Sequence, residues 1–282
     1  MSESSIPHGS GLRVTVLGYG TAVPHTATPA AGYLVRWGDT NLLLDVGQGV
    51  IRSLQGAMDP QALTGIVIGH MHADHYLDLV GLRYRYPWGE PADDPLPVHL
   101  PPGGRARLDA LAVAISERPG FFDDAFVARE YDPEAELMVG DLRLHFVNGR
   151  HFVPAWGVVI EAPDGSRMAY TGDTGPSSSV EAAVRGADLL LVESSIASAE
   201  EDGPERGHLT ADEAISLARN AQVRSALLVH YPPDRYVEMD ARCAAAGPWV
   251  RPATEGLTIA VAPRAGLLEG VEQPPESEPI NA

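Results

Sequence analysis

Six consecutive residues, His70-Met71-His72-Ala73-Asp74-His75, put three imidazoles and a carboxylate on one short stretch of chain. Imidazole nitrogen is a borderline ligand and carboxylate oxygen a hard one, and a set that mixes them suits zinc, manganese or iron. The run directly follows the apolar stretch Gly65-Ile66-Val67-Ile68-Gly69, which predicts a loop at a strand end, where side chains from several elements can converge. So many ligand-type side chains at this spacing set the run apart from an ordinary polar surface loop.

Such a loop needs a rigid frame. Apolar and β-branched runs at Leu12 to Leu17, Tyr33 to Trp37, Asn41 to Val46, Gly65 to Gly69, Leu142 to Val147, Gly157 to Glu161, Arg167 to Tyr170, Leu189 to Val192, Ala226 to Val229 and Leu257 to Val261 predict strands. Helical patterns fall at residues 48–57, 75–86, 105–118, 178–185, 210–220 and 235–246, and Thr210-Ala211-Asp212-Glu213 has the form of a capping box. Strands cluster first and alternate with helices later, which predicts two sheets covered by helices rather than one doubly wound sheet. Residues 1–10 and 264–282 are polar, the latter rich in Pro and Glu, a composition that buries too little surface to fold. The expected division is an N-terminal tail (1–10), one domain (11–263) and a disordered C-terminal tail (264–282).

At 282 residues and 44% hydrophobic, the chain is long enough for a sizeable core. No stretch approaches the roughly 18 to 20 apolar residues of a membrane span, and the first residues lack the basic and apolar regions of a signal peptide. A cytoplasmic protein without a membrane partner is expected. Cys243 is the single cysteine, so an internal disulfide is excluded and a metal site must be built from His and carboxylates. The net charge of −18 disfavours a broad footprint on a large nucleic acid, which draws its affinity from clustered cations. Every basic residue is Arg, which excludes a Schiff-base lysine and a P-loop lysine.

The run His70 to His75 resembles the H-x-H-x-D-H signature of the metallo-β-lactamase superfamily, and the resemblance extends in order from about Val14 to Pro233. It implies an α/β (α+β) fold, a four-layer αβ/βα sandwich of two mixed sheets flanked by helices. Asp45 in Leu-Leu-Leu-Asp45-Val-Gly is similar to the family's early aspartate that orients the metal loop. His151 in Asn-Gly-Arg-His151 is similar to its isolated third histidine, Asp173 in Tyr-Thr-Gly-Asp173 to its bridging aspartate, and His230 in Leu-Leu-Val-His230 to its last ligand. Carried over, His70, His72 and His151 would hold one metal, Asp74, His75 and His230 the other, with Asp173 between them. The pair Asp74-His75 favours two metals over one. Two cations a few Å apart can hold a bridging hydroxide and stabilise both the entering and the leaving oxygen of an in-line displacement, which suits phosphodiester hydrolysis.

Three features resemble the ribonuclease Z-like branch: the opening Val-Leu-Gly18-Tyr-Gly20-Thr21-Ala-Val-Pro24, the stretch Asp74 to Leu82, and Glu193 together with Gly-His208-Leu-Thr. The last implies a glutamate and histidine that protonate the leaving group. A histidine can do so near neutral pH if a carboxylate holds its tautomer, so Asp74, His208 and Glu193 are the candidate catalytic residues. The competing reading of His208 is a solvated residue just before a helix cap. Bacterial ribonuclease Z enzymes carry a long transfer-RNA-gripping arm between the third histidine and the bridging aspartate, but His151 and Asp173 are only 22 residues apart. The expected activity is therefore a phosphodiesterase for a small phosphodiester such as a cyclic nucleotide, using two divalent ions, zinc first, with manganese or iron able to use the same ligands. The alternatives are transfer RNA 3′-processing, lactone or sulfate-ester hydrolysis, and a non-catalytic metal-binding module. A homodimer stays open. The segment Arg83-Tyr-Arg85-Tyr-Pro-Trp88 reads either as a base-and-phosphate contact or as an ordinary helix end with solvated arginines and packed tyrosines.

Overall fold

A computed structural model describes residues 11–87, 92–118 and 120–263; both expected tails and Trp88 lie outside the described residues. The first half runs β1 (Leu12–Gly18), β2 (Gly32–Trp37), β3 (Thr40–Leu44), α1 (Val50–Ala57), β4 (Gly65–Val67), α2 (Ala73–Tyr76), α3 (Leu79–Arg83), β5 (Leu96–Leu100), α4 (Gly104–Ser116) and β6 (Phe126–Glu130). The second half runs β7 (Leu137–Val139), β8 (Leu142–Asn148), β9 (Trp156–Glu161), β10 (Arg167–Tyr170), α5 (Ser178–Ala183), β11 (Leu189–Glu193), α6 (Ala211–Asn220), β12 (Ser225–Val229), α7 (Tyr236–Ala246), β13 (Val250–Pro252) and β14 (Thr258–Val261).

These strands form two seven-stranded sheets, ordered β14-β1-β2-β3-β4-β5-β6 and β13-β12-β11-β10-β9-β8-β7. Each sheet changes character at its middle strand. In the first, β14 through β3 pair antiparallel and β3 through β6 pair parallel. In the second, β7 through β10 pair antiparallel and β10 through β13 parallel. Two mixed sheets flanked by helices make this the metallo-β-lactamase sandwich.

Side-chain alternation decides which core each residue joins. Leu42 and Leu44 of β3 point into the core between the sheets, while Leu43 joins Val50, Leu54 and Leu108 of α1 and α4 on the outer face. The strand β11, Leu-Leu-Leu-Val-Glu, is buried throughout, as a parallel strand covered on both faces must be. On the far side, Ala214 and Leu217 of α6 and Met239 of α7 complete the layering.

Thr210 and Glu213 close the capping box of α6 as expected. The helical pattern over residues 75–86, in contrast, breaks into α2 and α3. Val46 donates to the His75 carbonyl at 2.7 Å and accepts from the Asp78 amide at 3.0 Å, taking backbone groups that a continuous helix would use internally.

Candidate metal centre

Carboxyl ends of parallel strands are where an open α/β sheet leaves room for a ligand, and the residues singled out by type lie there. Asp45 follows β3 and His70 to His75 follow β4; Asp173 follows β10, Glu193 ends β11, and His230 follows β12. His151 lies after the antiparallel strand β8. The structure brings them together. Ligand atoms of His70, His72, His151 and Asp173 lie within 4.8 Å of one another, those of Asp74, His75 and His230 do so too, and a third overlapping group is Asp173, His208 and His230.

Asp45 sets the orientation of the first half. Its Oδ2 lies 2.8 Å from His75 Nδ1 and accepts from the Tyr170 hydroxyl at 2.9 Å, while Oδ1 accepts from the Gly69 amide at 2.8 Å. With Nδ1 so engaged, His75 turns Nε2 towards Asp173 Oδ2, 3.4 Å away, and Asp74 Oδ2, 3.6 Å away. At Gly47 an added Cβ would overlap the Asp74 carbonyl, so glycine lets the β3 loop and the histidine run pack backbone to backbone. Asp45 and His230 both adopt left-handed backbone, with φ of 55° and 50°. Asp and His tolerate that region better than most residues, yet each costs on the order of 1–3 kcal/mol that the surrounding fold must supply.

Neutral groups orient the second half. His151 Nδ1 is 2.8 Å from the Gly207 carbonyl, which makes Nδ1 the donor and leaves the Nε2 lone pair facing His72 Nδ1 at 3.1 Å. His230 Nδ1 is 2.7 Å from Ser195 Oγ, which itself donates to the His230 carbonyl at 3.0 Å. The hydroxyl thus accepts from Nδ1–H, and the His230 Nε2 lone pair faces Asp74 Oδ2 at 3.1 Å. Two acceptors that close are held together only by a proton or a cation.

Buried polar atoms supply the test of fit for a metal. Both ring nitrogens of His70, Nε2 of His75 and Oδ1 of Asp173 are buried without a hydrogen-bond partner. Such orphans cost about 1–3 kcal/mol each unless something satisfies them, and a divalent cation among these donors would satisfy one nitrogen of each ring and the carboxylate. Electrostatics agree with that fit at His70, Asp74 and Asp173, whereas at His75 burial is outweighed by Asp173 and Asp45, which raise its pKa well above the ordinary value, so a cation there would have to displace a proton. Burial holds the His70 imidazole well below its ordinary pKa and so keeps one ring nitrogen's lone pair free, as ligation requires. For Asp74, burial raises the pKa, but the adjoining His230 and the nearby His75 outweigh it and bring the group to about 2. Asp173, entirely buried, is likewise held well below the carboxylate range against its own desolvation by His230, His75 and His70.

Beside the clusters, His208 Nδ1 lies 3.0 Å from Glu193 Oε1. Burial pulls the His208 pKa down, yet the hydrogen bond and charge of Glu193 prevail and lift it to about 9. The strap carrying His208 is fixed at several points. Arg206 donates from Nη2 to both carboxylate oxygens of Glu213, the same glutamate that caps α6, and Asp202 accepts from the His208 amide at 2.6 Å. At Gly207 any Cβ would meet the Phe152 ring.

A family model described as the Beta-lactamase superfamily domain matches residues 40–231. The chain belongs to that superfamily. Among relatives, an uncharacterized protein of Mycobacterium leprae is 35% identical over 81% of this chain and 81% of its own. A ribonuclease Z of Haloferax volcanii is 29% identical over 78% of this chain and 84% of its own. The crystal structure of the metallo-beta-lactamase fold protein YhfI from Bacillus subtilis superposes with a TM-score of 0.75 over 88% of this chain and 99% of its own, at 23% identity, a likeness of fold.

As a member of the superfamily the protein is a metal-dependent hydrolase, and its His/Asp clusters suit divalent ions. They open on a cleft of about 460 Å³ lined by Thr21, His72, Asp74, Asp173, Ser195, His208 and His230. No helix among the described residues is long and apolar enough to cross a membrane. The arginine and tyrosine segment after the superfamily's metal loop fits neither reading whole: Arg85 is exposed as an ordinary helix end would have it, but Arg83 is buried rather than solvated and Tyr84 is exposed rather than buried. Buried Arg83 pairs with Asp124 at 3.1 Å and donates to the Phe121 and Pro87 carbonyls, and Arg85 pairs with Asp59 at 3.3 Å. Three groups escape a reading by residue type: the Ser195 hydroxyl, the Tyr170 hydroxyl and the Gly207 carbonyl. Nothing in their spacing marks them, since each acts through a histidine or carboxylate distant in sequence.

Proposed function

We propose that the protein is a binuclear metal-dependent phosphodiesterase acting on a small phosphodiester such as a cyclic nucleotide. The reading rests on two ligand clusters that meet at Asp173 and open, with the His208–Glu193 pair, on a single cleft. His70, His72 and His151 would hold one ion, Asp74, His75 and His230 the second, and Asp173 both. The preponderance of imidazole favours zinc, and manganese or iron fit the same donors. When bound, such ions acidify a water molecule and screen charge on the phosphoryl oxygens.

The chain's own residues position and protonate. Asp74, kept ionised by its histidine neighbours, lines the cleft and accepts a hydrogen bond from the attacking water. Glu193 holds His208 by Nδ1, so Nε2 is left to deliver a proton to the leaving oxygen. Loading of that acid is favoured by the same carboxylate, which keeps the imidazole protonated at neutral pH.

Transfer RNA 3′-processing is the second reading, favoured by the ribonuclease Z relative. Against it stand the charge of −18 and the interval from His151 to Asp173, which β9, a tight turn and β10 occupy, leaving no arm. The test is a panel of 3′,5′- and 2′,3′-cyclic nucleotides, an aryl phosphodiester, a lactone, an aryl sulfate and precursor transfer RNA, offered to metal-loaded protein. Cyclic nucleotide turnover above the rest is expected. Best activity on transfer RNA, lactone or sulfate ester, or tight metal binding with no turnover at all, would overturn the reading.

A further inference from the structure

Thr21 and Ala22 line both the reaction cleft and a second cleft of about 400 Å³. His25, Gln48, Arg52 and Glu255 line it, and the mechanism above uses none of them. Among the described residues the reaction cleft is lined by no arginine, and the chain has no lysine, so among those residues Arg52 is the one permanently cationic side chain lining either space. Arg52 is exposed in the first turn of α1 and has no hydrogen-bond or ion-pair partner among the described residues, whereas the arginines near the strap that carries His208 are committed to carboxylates or carbonyls.

The other groups narrow the ligand. Gln48 Oε1 is buried with no partner, a polar end that awaits one. His25 Nδ1 accepts from the Ala27 amide at 3.0 Å, which leaves a neutral His25 with its proton on Nε2, free to donate. Glu255, an acceptor already engaged by the Ser53 hydroxyl at 2.7 Å, stands in the same cleft and calls for hydroxyl or amine donors on the ligand. An apolar occupant would desolvate Arg52 and Glu255 without return. A phosphorylated sugar carrying a base answers each group, with a guanidinium on its phosphate, the strongest contact of the set.

We propose that this second cleft is the subsite for a non-scissile phosphate and its nucleoside, so that the small phosphodiesters accepted include a dinucleotide whose second phosphate is held by Arg52. The proposal rests on the phosphodiesterase reading of the first cleft. The test uses metal-loaded full-length protein and its Arg52→Ala and Arg52→Lys variants, assayed on 5′-phosphorylated diadenylate and on bis(4-nitrophenyl) phosphate, which has no second phosphate. In Arg52→Ala the ratio of kcat/KM for the dinucleotide to that for the aryl diester should fall about tenfold, through KM, which corresponds to about 1.4 kcal/mol. Partial recovery is expected in Arg52→Lys. An unchanged ratio would overturn the subsite. Should the wild type hydrolyse neither compound, the phosphodiesterase reading fails by itself, and calorimetric titration with adenosine 3′,5′-bisphosphate judges the subsite: binding weakened by Arg52→Ala supports it, and binding absent or indifferent to Arg52 refutes it.

Discussion

The two sheets contribute to the centre in different ways. The first sheet places His70, His72, Asp74 and His75 on one continuous loop and holds that loop by a charge, the Asp45 carboxylate, with the Tyr170 hydroxyl and the Gly69 amide on the same oxygens. The second contributes single residues after separate strands and holds them with neutral groups, a carbonyl for His151 and a hydroxyl for His230. A contiguous loop keeps its ligands in mutual register through a few backbone torsions. Scattered ligands depend instead on the pairing of the strands from β8 to β12 that carry them. Charge supports the ligands of the compact half, and neutral hydrogen bonds support the histidine ligands of the dispersed half.

Asp173 erases that distinction because it faces both clusters, at 3.4 Å from His75 and 3.5 Å from His230, and 4.0 Å from His151. Asp173→Ala should therefore have the largest effect of any substitution here. Metal per protein, measured by atomic emission, should fall towards zero, and kcat by more than the roughly 10–100-fold typical of residues that only orient ligands. Retention of one full equivalent of metal would mean that the halves bind independently.

His208 belongs to the second half yet to neither metal group as proposed, so its removal should separate chemistry from binding. His208→Ala is expected to lower kcat by about 10²–10⁴-fold on a substrate with a poor leaving group while metal content stays at the wild-type level. On a 4-nitrophenyl ester, whose leaving group departs without a proton, the loss should be much smaller. An equal loss on both substrates would remove the acid role and leave His208 as a structural or ligating residue.

The same division explains what the chain discloses before folding. The run from His70 to His75 is conspicuous because its members are adjacent, but His151, Asp173 and His230 gain meaning only through their order relative to a known family. Ser195 was invisible, since its partner His230 is 35 positions away. Among strands, the unforeseen ones are β5, β6, β7 and β13. Pro97 inside β5 argues against a strand, yet Leu96, Val98 and Leu100 bury one face and carry it regardless. β7 and β13 are three residues each, too short to show a period, and β6 ends in exposed Arg129 and Glu130. In each case tertiary pairing decides what local pattern cannot.

If charge supports one half and neutral groups the other, orienting residues should differ in strength. Asp45→Asn keeps the shape and the left-handed backbone but cannot accept on every contact, and should weaken metal binding by about 100-fold in competition with a chelator. Ser195→Ala should weaken it by only about tenfold, and Ser195→Thr, which retains a hydroxyl, should recover most of the loss. Equal effects of Asp45→Asn and Ser195→Ala would break the comparison between the halves.

The smallest effect tests the strap of the second half without touching a ligand. Thr210 caps α6 by accepting from the Glu213 amide at 3.3 Å, and Glu213 returns the contact to the Thr210 amide at 2.9 Å while holding Arg206. Thr210→Ala removes one side of that box and should cost about 1 kcal/mol, a fall of roughly 2–4 °C in Tm for a domain of this size. Because Arg206 and Thr210 flank His208, the same variant should also lose a few-fold in kcat on substrates with poor leaving groups, with metal content unchanged. Loss of Tm without that kinetic signature would show that Glu193 and Asp202 alone suffice to place His208.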